Sequence, residues 1–232
     1  MSDCSDNFNE FISKNSLQGI NTDSLISALT HPSYIKDNDL PYTECYERLE
    51  FLGDAVLKLV VSDILYNRYP DFTEGKMTNI RASLVSDEFI LNFAEDLEIG
   101  RYIRISKSLE KDGGRNTPSI LSCAFEALLG AMFESEIEYS RLYEFIEKLF
   151  NKYFSALEHQ LPKFNSKSIL QEYTQSVNQS LPVYTTKSVP AGFCTVVMFN
   201  SEKIGEGTAK SKRESEREAA YSACLKLNLI GD

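Results

Sequence analysis

"YERLEFLGDAVLKLVV", Tyr46–Val61, sets three carboxylates, Glu47, Glu50 and Asp54, among residues that are otherwise mostly apolar. The apolar positions recur at helical spacing, so the stretch is predicted as one helix. At about 100° per residue, positions i, i+3 and i+7 fall within roughly 60° of one another, and the three acids share one narrow stripe. Leu49, Phe51, Leu52, Ala55, Val56, Leu57, Leu59 and Val60 occupy the rest of the circumference. A helix apolar on nearly every side is normally buried, and burying an ionised carboxylate is costly unless something pairs with it. Two readings follow. The stripe is partly exposed and salt-bridged to Arg48, Lys58 or Arg81, or it is a site for a hard cation, since Mg²⁺ and Mn²⁺ take oxygen ligands.

The chain has 232 residues, 42% of them hydrophobic, a length that suits one large domain or two smaller ones. No run of about 18 apolar residues occurs, and the N-terminal "MSDCSDNFNE" lacks a basic region, so neither a membrane span nor an export signal is expected. Cys4, Cys45, Cys123, Cys194 and Cys224 are odd in number and form no C-x-x-C pair. With only His31 and His159 besides, no zinc spacing exists, and a reducing, intracellular (cytoplasmic) setting is expected. The net charge of −10 argues superficially against a nucleic-acid partner. Residues 1–164, however, carry 16 Lys+Arg against 27 Asp+Glu, and residues 165–232 carry 8 against 7. The acidic excess lies in the first part, and clustering matters more for binding than the sum.

Up to about residue 154 the pattern is almost entirely helical. Apolar residues at 3–4 spacing predict helices over Asn7–Asn15, Thr22–Thr30, Glu44–Tyr69, Gly75–Val85, Asp87–Leu97, Pro118–Glu134 and Glu138–Leu157. "EHQLPKFNSKS" then reads as a polar linker containing Pro162. Beyond it, "SILQEYTQSV" is helical, while "PVYTTKSV", "GFCTVVMFN" and "EKIGEGTAK" read as three strands, and "SKRESEREAAYSACLKLNLI" as a closing helix. The fold class expected is an all-α domain followed by a small α+β domain of order α-β-β-β-α. The divisions fall at 1–158, a linker at 159–165, and 166–232.

"ERLEFLGDAVL" (Glu47–Leu57) resembles the signature of the ribonuclease III family, and the likeness runs on through "ALTHPSY" (Ala28–Tyr34), "YPDFTEGKMTNIRASLVS" (Tyr69–Ser86), "GGR" (Gly113–Arg115) and "SILSCAFEALLGAMF" (Ser119–Phe133). The segment with "LQEY" and "GEGTAKSKRESEREAA" resembles a double-stranded-RNA-binding domain. The resemblance implies an endonuclease domain that forms a homodimer, each subunit contributing one Mg²⁺-dependent site for cutting duplex RNA. It implies no small-molecule cofactor. Carried over residue by residue, Glu50, Asp54 and Glu126 match the family's metal-site acids, Glu47 and Glu74 match acids lining the cleft, and Phe51 matches an aromatic that inserts into the partner subunit.

The chemistry agrees. Phosphodiester hydrolysis needs an activated water and neutralised charge at the phosphate, and a carboxylate-held divalent ion supplies both. Glu126 is the sole acid between Ser119 and Phe133, either an isolated salt-bridge partner or a ligand; beside Glu50 and Asp54, ligand is the better reading. One departure stands out. The family pattern places an acid three residues before Glu126, and this chain has Cys123. Read alone, Cys123 is a small core residue; at a ligand position it is a poor donor for hard Mg²⁺, and Mn²⁺ becomes the better cofactor. Lys58, four residues after Asp54, pairs with that carboxylate or approaches a phosphate, a surface ion pair being the plainer role.

Double-stranded RNA is read mostly by shape, through its shallow minor groove and its phosphates. Gln171 and Glu172 on the first helix of the second domain suit the groove, and Lys210, Lys212 and Arg213 at the start of its last helix suit the phosphates. The family's longer loop between the first two strands, with a G-P-x-H element, is reduced here to "SVPAG". Two functions are therefore weighed: an endoribonuclease for double-stranded RNA, and a catalytically impaired binder that sequesters duplexes. The retained acids favour the enzyme, because a pure binder has no use for them.

Overall fold

A computed structural model describes residues 2–178 and 180–230, with side chains given for residues 7–153, 166–177 and 180–230. The helical periodicity of the first part is realised as α1 (Ser2–Lys14), α2 (Thr22–Ala28), α3 (Pro32–Asp37), α4 (Glu47–Arg68), α5 (Glu74–Leu84), α6 (Asp87–Asp96), α7 (Ile99–Tyr102), α8 (Lys107–Lys111), α9 (Pro118–Glu134) and α10 (Tyr139–Asn178). The short helices α3, α7 and α8 do not figure among the sequence expectations, because four to six residues are too few to show a period. After α10 come β1 (Val183–Val189), β2 (Gly192–Phe199), β3 (Glu202–Ala209) and α11 (Lys212–Lys226). The stretch 159–165, expected as a linker, falls within α10, and its side chains lie outside the described residues.

The chain divides into two compact units, one formed by Met1–Phe72 with Arg81–Lys152, the other by Thr73–Ile80 with Tyr153–Asp232. In the first, α4 packs along α9, and α2 and α6 flank α9. Burial of apolar rings holds it together: the Phe93 ring lies tilted 5.5 Å from that of Phe125 and 5.0 Å from that of Phe150, all three closed to solvent. Truncating such a ring in a packed core costs about 3–5 kcal/mol.

One expectation for α4 needs correcting. The helix is not buried on every side. Its inner face (Leu49, Val56, Leu57, Val60, Val61, Ile64) is closed, but Phe51 is 84% exposed, Leu59 56% and Tyr66 70%. Spacings of eight and seven residues place these three on one face, so an apolar stripe lies open in the single chain.

In the second unit β1, β2 and β3 form an antiparallel sheet in that order. β1 and β2 pair down to Val189 and Gly192, leaving Pro190 and Ala191 as the whole turn. One sheet face is covered by α11, with Leu170 of α10, Val197, Ile204, Ala219, Ala220, Ala223 and Cys224 forming the core. The approach is close enough to require glycine, since a side chain at Gly205 or Gly207 would overlap the main chain of Ala219.

Candidate active site

The crossing of α4 over α9 builds the site. Gly53 and Gly130 face each other there: a methyl at Gly53 would overlap the main-chain carbonyl of Glu126, and one at Gly130 that of Leu49. The backbones therefore approach too closely for any side chain at these two positions, and Glu50 and Asp54, one turn apart on α4, lie on either side of Gly53 in the chain. Glu126 meets them from α9. The acids at the start of α4 also suit the positive end of the helix dipole, since Glu47 and Glu50 lie in its first turn.

Glu47, Glu50, Asp54, Cys123 and Glu126 are all half-buried, neither sealed in the core nor free in solvent. Burial, ahead of the charges of Asp54, Glu50 and Asp87, pushes the Glu126 carboxyl up to about 7, against a smaller opposite effect of Lys58. Glu50 is also raised, by burial first, with a hydrogen bond from Cys123 opposing and the charges of Glu47, Asp87 and Asp54 adding to it. The Cys123 thiol is pushed up to about 12 by burial, by its bond to Glu50, and by the charges of Glu50, Glu126 and Asp87. It is thus a neutral donor to Glu50 at any ordinary pH, not a thiolate.

Each acid of the stripe has a local partner. Tyr42 donates its hydroxyl to Glu47, Cys123 its thiol to Glu50, and Lys58 Nζ lies 2.6 Å from Asp54 Oδ2. Arg81, an alternative partner for the stripe, instead donates to Ser62 Oγ at 2.8 Å. Among the described residues no three His, Cys, Asp or Glu side chains converge into a ready-made metal cage. The donor set nonetheless fits a hard divalent ion. It is composed of carboxylate oxygens, and two of those carboxyls are raised by burial and mutual repulsion, which a cation relieves.

The structure adds a residue that the sequence pattern does not mark. Asp87 opens α6, and its main-chain carbonyl accepts a hydrogen bond from Ser122 Oγ at 3.1 Å, beside Cys123 on α9. Its charge is felt at Glu50, Cys123 and Glu126 together. In sequence it is an ordinary acid in the first turn of a helix, so nothing distinguishes it. Glu74, expected in the cleft, opens α5 in the second unit, where it accepts from Thr78 Oγ1 at 2.9 Å.

The expected RNA-binding residues are exposed. Gln171 and Glu172 lie on α10. Lys212 and Arg213 form the first turn of α11 behind the N-cap Ser211, whose side chain accepts from Glu214 N, and Lys210 precedes the cap. Among the described residues none of these three cations has an ion-pair partner.

Comparison with known proteins agrees with both units. Residues 21–153 match the family described as Ribonuclease-III-like, and residues 166–227 match the double-stranded RNA binding motif. Ribonuclease 3 of Listeria monocytogenes is 36% identical over 213 residues, covering 89% of this chain and 92% of that protein. The Shouchella clausii ribonuclease 3 is 37% identical over 227 residues, 95% of this chain and 86% of its own. A solved nuclease domain of ribonuclease III from Campylobacter jejuni, described with a region involved in dimer formation, is 34% identical and superposes with a TM-score of 0.57 over 63% of this chain and 97% of that one. With its nuclease unit and its RNA-binding motif both matched along most of the length, this chain belongs to the ribonuclease III family of endoribonucleases.

Proposed function

We propose that the chain cleaves double-stranded RNA as a homodimer, with Glu50, Asp54 and Glu126 holding a divalent cation and Glu47 and Glu74 lining the cleft. The observation that carries this reading is that Glu50, Asp54 and Glu126, half-buried and mutually repelling, flank the close approach of α4 and α9 at Gly53 and Gly130. Crowded acids are stored cost unless a cation uses them. A Mg²⁺ or Mn²⁺ ion held there supplies an acidic bound water and charge neutralisation at the phosphate. The chain's own part is to present the oxygen donors, to hold them half-buried where α4 meets α9, and to keep the Cys123 proton on sulfur, bonded to Glu50.

The division at 159–165 belongs to the same proposal: the nuclease and the RNA-binding motif match on either side of it. An intracellular setting is supported by the free thiols Cys45, Cys123, Cys194 and Cys224. No helix among the described residues is long and apolar enough to cross a membrane.

The second reading, a duplex binder with impaired chemistry, is favoured by the neutral Cys123 and by the engagement of Asp54 with Lys58. A labelled RNA duplex incubated with Mg²⁺, Mn²⁺ or a chelator separates them. Cleavage that requires a divalent ion and is lost in Asp54→Asn and Glu126→Gln, with the mobility shift retained, supports the enzyme. A shift without cleavage in either metal supports the binder.

A further inference from the structure

Where α11 packs on the sheet, two small hydroxyl side chains are enclosed. Thr195 and Ser215 are both fully buried there, in contact through their hydroxyls at 2.7 Å. The chain of hydroxyls continues in both directions. Thr186 Oγ1 on β1 lies 2.8 Å from Thr195 Oγ1, and Ser215 Oγ donates to the main-chain carbonyl of Lys212 at 2.9 Å. Each hydroxyl carries one proton, so the direction is fixed: Thr186 donates to Thr195, Thr195 to Ser215, and Ser215 to Lys212.

Two features make this chain more than filler. A valine has the shape of threonine, and the neighbours Val197, Ile204, Ala219 and Ala223 are apolar, so packing alone does not call for hydroxyls. Second, the first turn of α11 carries Lys212 and Arg213, with Lys210 just before it. Cations at a helix N-terminus face the positive end of the dipole and repel one another, which favours fraying of that turn. Ser211 caps it from outside, and the hydroxyl chain ties it to the sheet from beneath. A fully satisfied buried polar network of this kind rigidifies what it joins.

We propose that Thr195 and Ser215 are positioning residues for duplex RNA: their hydroxyl chain clamps the first turn of α11 to the sheet and so fixes its cations against the phosphate backbone. The inference rests on reading Lys210, Lys212 and Arg213 as the phosphate-contacting group. Pre-organised cations bind without first having to order the helix end, so the clamp acts on affinity and on its salt dependence.

The test uses the full chain and a short RNA duplex with a chelator present, so that binding is read without cleavage. Thr195→Val and Ser215→Ala each weaken binding by roughly fivefold and make the plot of log affinity against log salt shallower by up to about one unit. Thr195→Ser restores both, and amide exchange of residues 213–216 is faster in Thr195→Val than in the parent. Ser215→Ala removes a single oxygen atom and keeps a good helix former, so it remains readable if Thr195→Val folds poorly. The reference is the triple variant Lys210→Ala, Lys212→Ala, Arg213→Ala. If it loses binding while Thr195→Val and Ser215→Ala match the parent in affinity and salt slope, the clamp is wrong. If the triple variant itself binds as the parent does, the cationic helix end is not the RNA contact, and clamp and contact fall together.

Discussion

Lys58 Nζ lies 2.6 Å from Asp54 Oδ2, one helical turn along α4. The ammonium thus occupies an oxygen proposed for a divalent ion, and its charge partly opposes the upward push on the Glu126 carboxyl. An exposed i,i+4 pair of this kind stabilises a helix by only about 0.3–0.5 kcal/mol. Its effect on a doubly charged ion beside it is larger, because the repulsion is between a single and a double charge. Lys58→Met is therefore expected to bind Mn²⁺ severalfold more tightly, by electron paramagnetic resonance of the free ion, with a melting temperature close to the parent's. Equal Mn²⁺ affinities in the two proteins would mean that Lys58 swings clear at no cost.

Cys123 leads to the second prediction. Its thiol is neutral and donates to Glu50, so it brings neither charge nor a hard oxygen to the ion. Mn²⁺, higher in the Irving–Williams order than Mg²⁺ and more tolerant of mixed ligands, is expected to support faster cleavage. Cys123→Asp is expected to bring half-maximal cleavage to a lower Mg²⁺ concentration, roughly tenfold if the new carboxylate ligates directly. An unchanged Mg²⁺ dependence in a well-folded Cys123→Asp variant would show that the thiol only packs.

Asp87 is the third. Its main chain is tied to Ser122, and its charge reaches Cys123 and both of the acids beside it, Glu50 and Glu126. Asp87→Asn is expected to weaken Mn²⁺ binding about twofold to fivefold through lost charge at short range. Glu88→Gln, the adjacent exposed acid, serves as control. Identical small losses in both variants would reduce Asp87 to background charge.

These predictions also mark what could be read from residues alone. The helix boundaries of α9, the order of the three strands and the acid stripe of α4 were legible, because each rests on a local period. Asp87 was not, since its proximity to Cys123 arises from packing α6 on α9, which no spacing in the chain records. The Gly53–Gly130 crossing was equally hidden: each glycine stands in an apolar helix, and only together do they explain why Glu50 and Asp54 meet Glu126. Of the exposed stripe on α4, only Phe51 was marked, and by the family resemblance; the apolarity of Leu59 and Tyr66 reads in a lone chain as core.

That stripe carries the last prediction. Phe51 is 84% exposed, so truncating it removes almost no burial from the single chain, and Phe51→Ala is expected to leave the melting of the isolated subunit within about 0.5 kcal/mol of the parent. If Phe51 instead fills a pocket of a second copy, it is an aromatic anchor, and its loss costs about 2 kcal/mol or more of association, roughly thirtyfold in the dimer constant. Sedimentation across a concentration series distinguishes the two. The functional corollary is specific: a chain with one site nicks, whereas a symmetric pair cuts both strands. Phe51→Ala is therefore expected to yield a rising proportion of nicked over fully cut duplex as protein is diluted through its weakened dimer constant. Parent-like association together with parent-like double-strand cleavage at every dilution would remove Phe51 from the interface and leave the α4 stripe without an assigned partner.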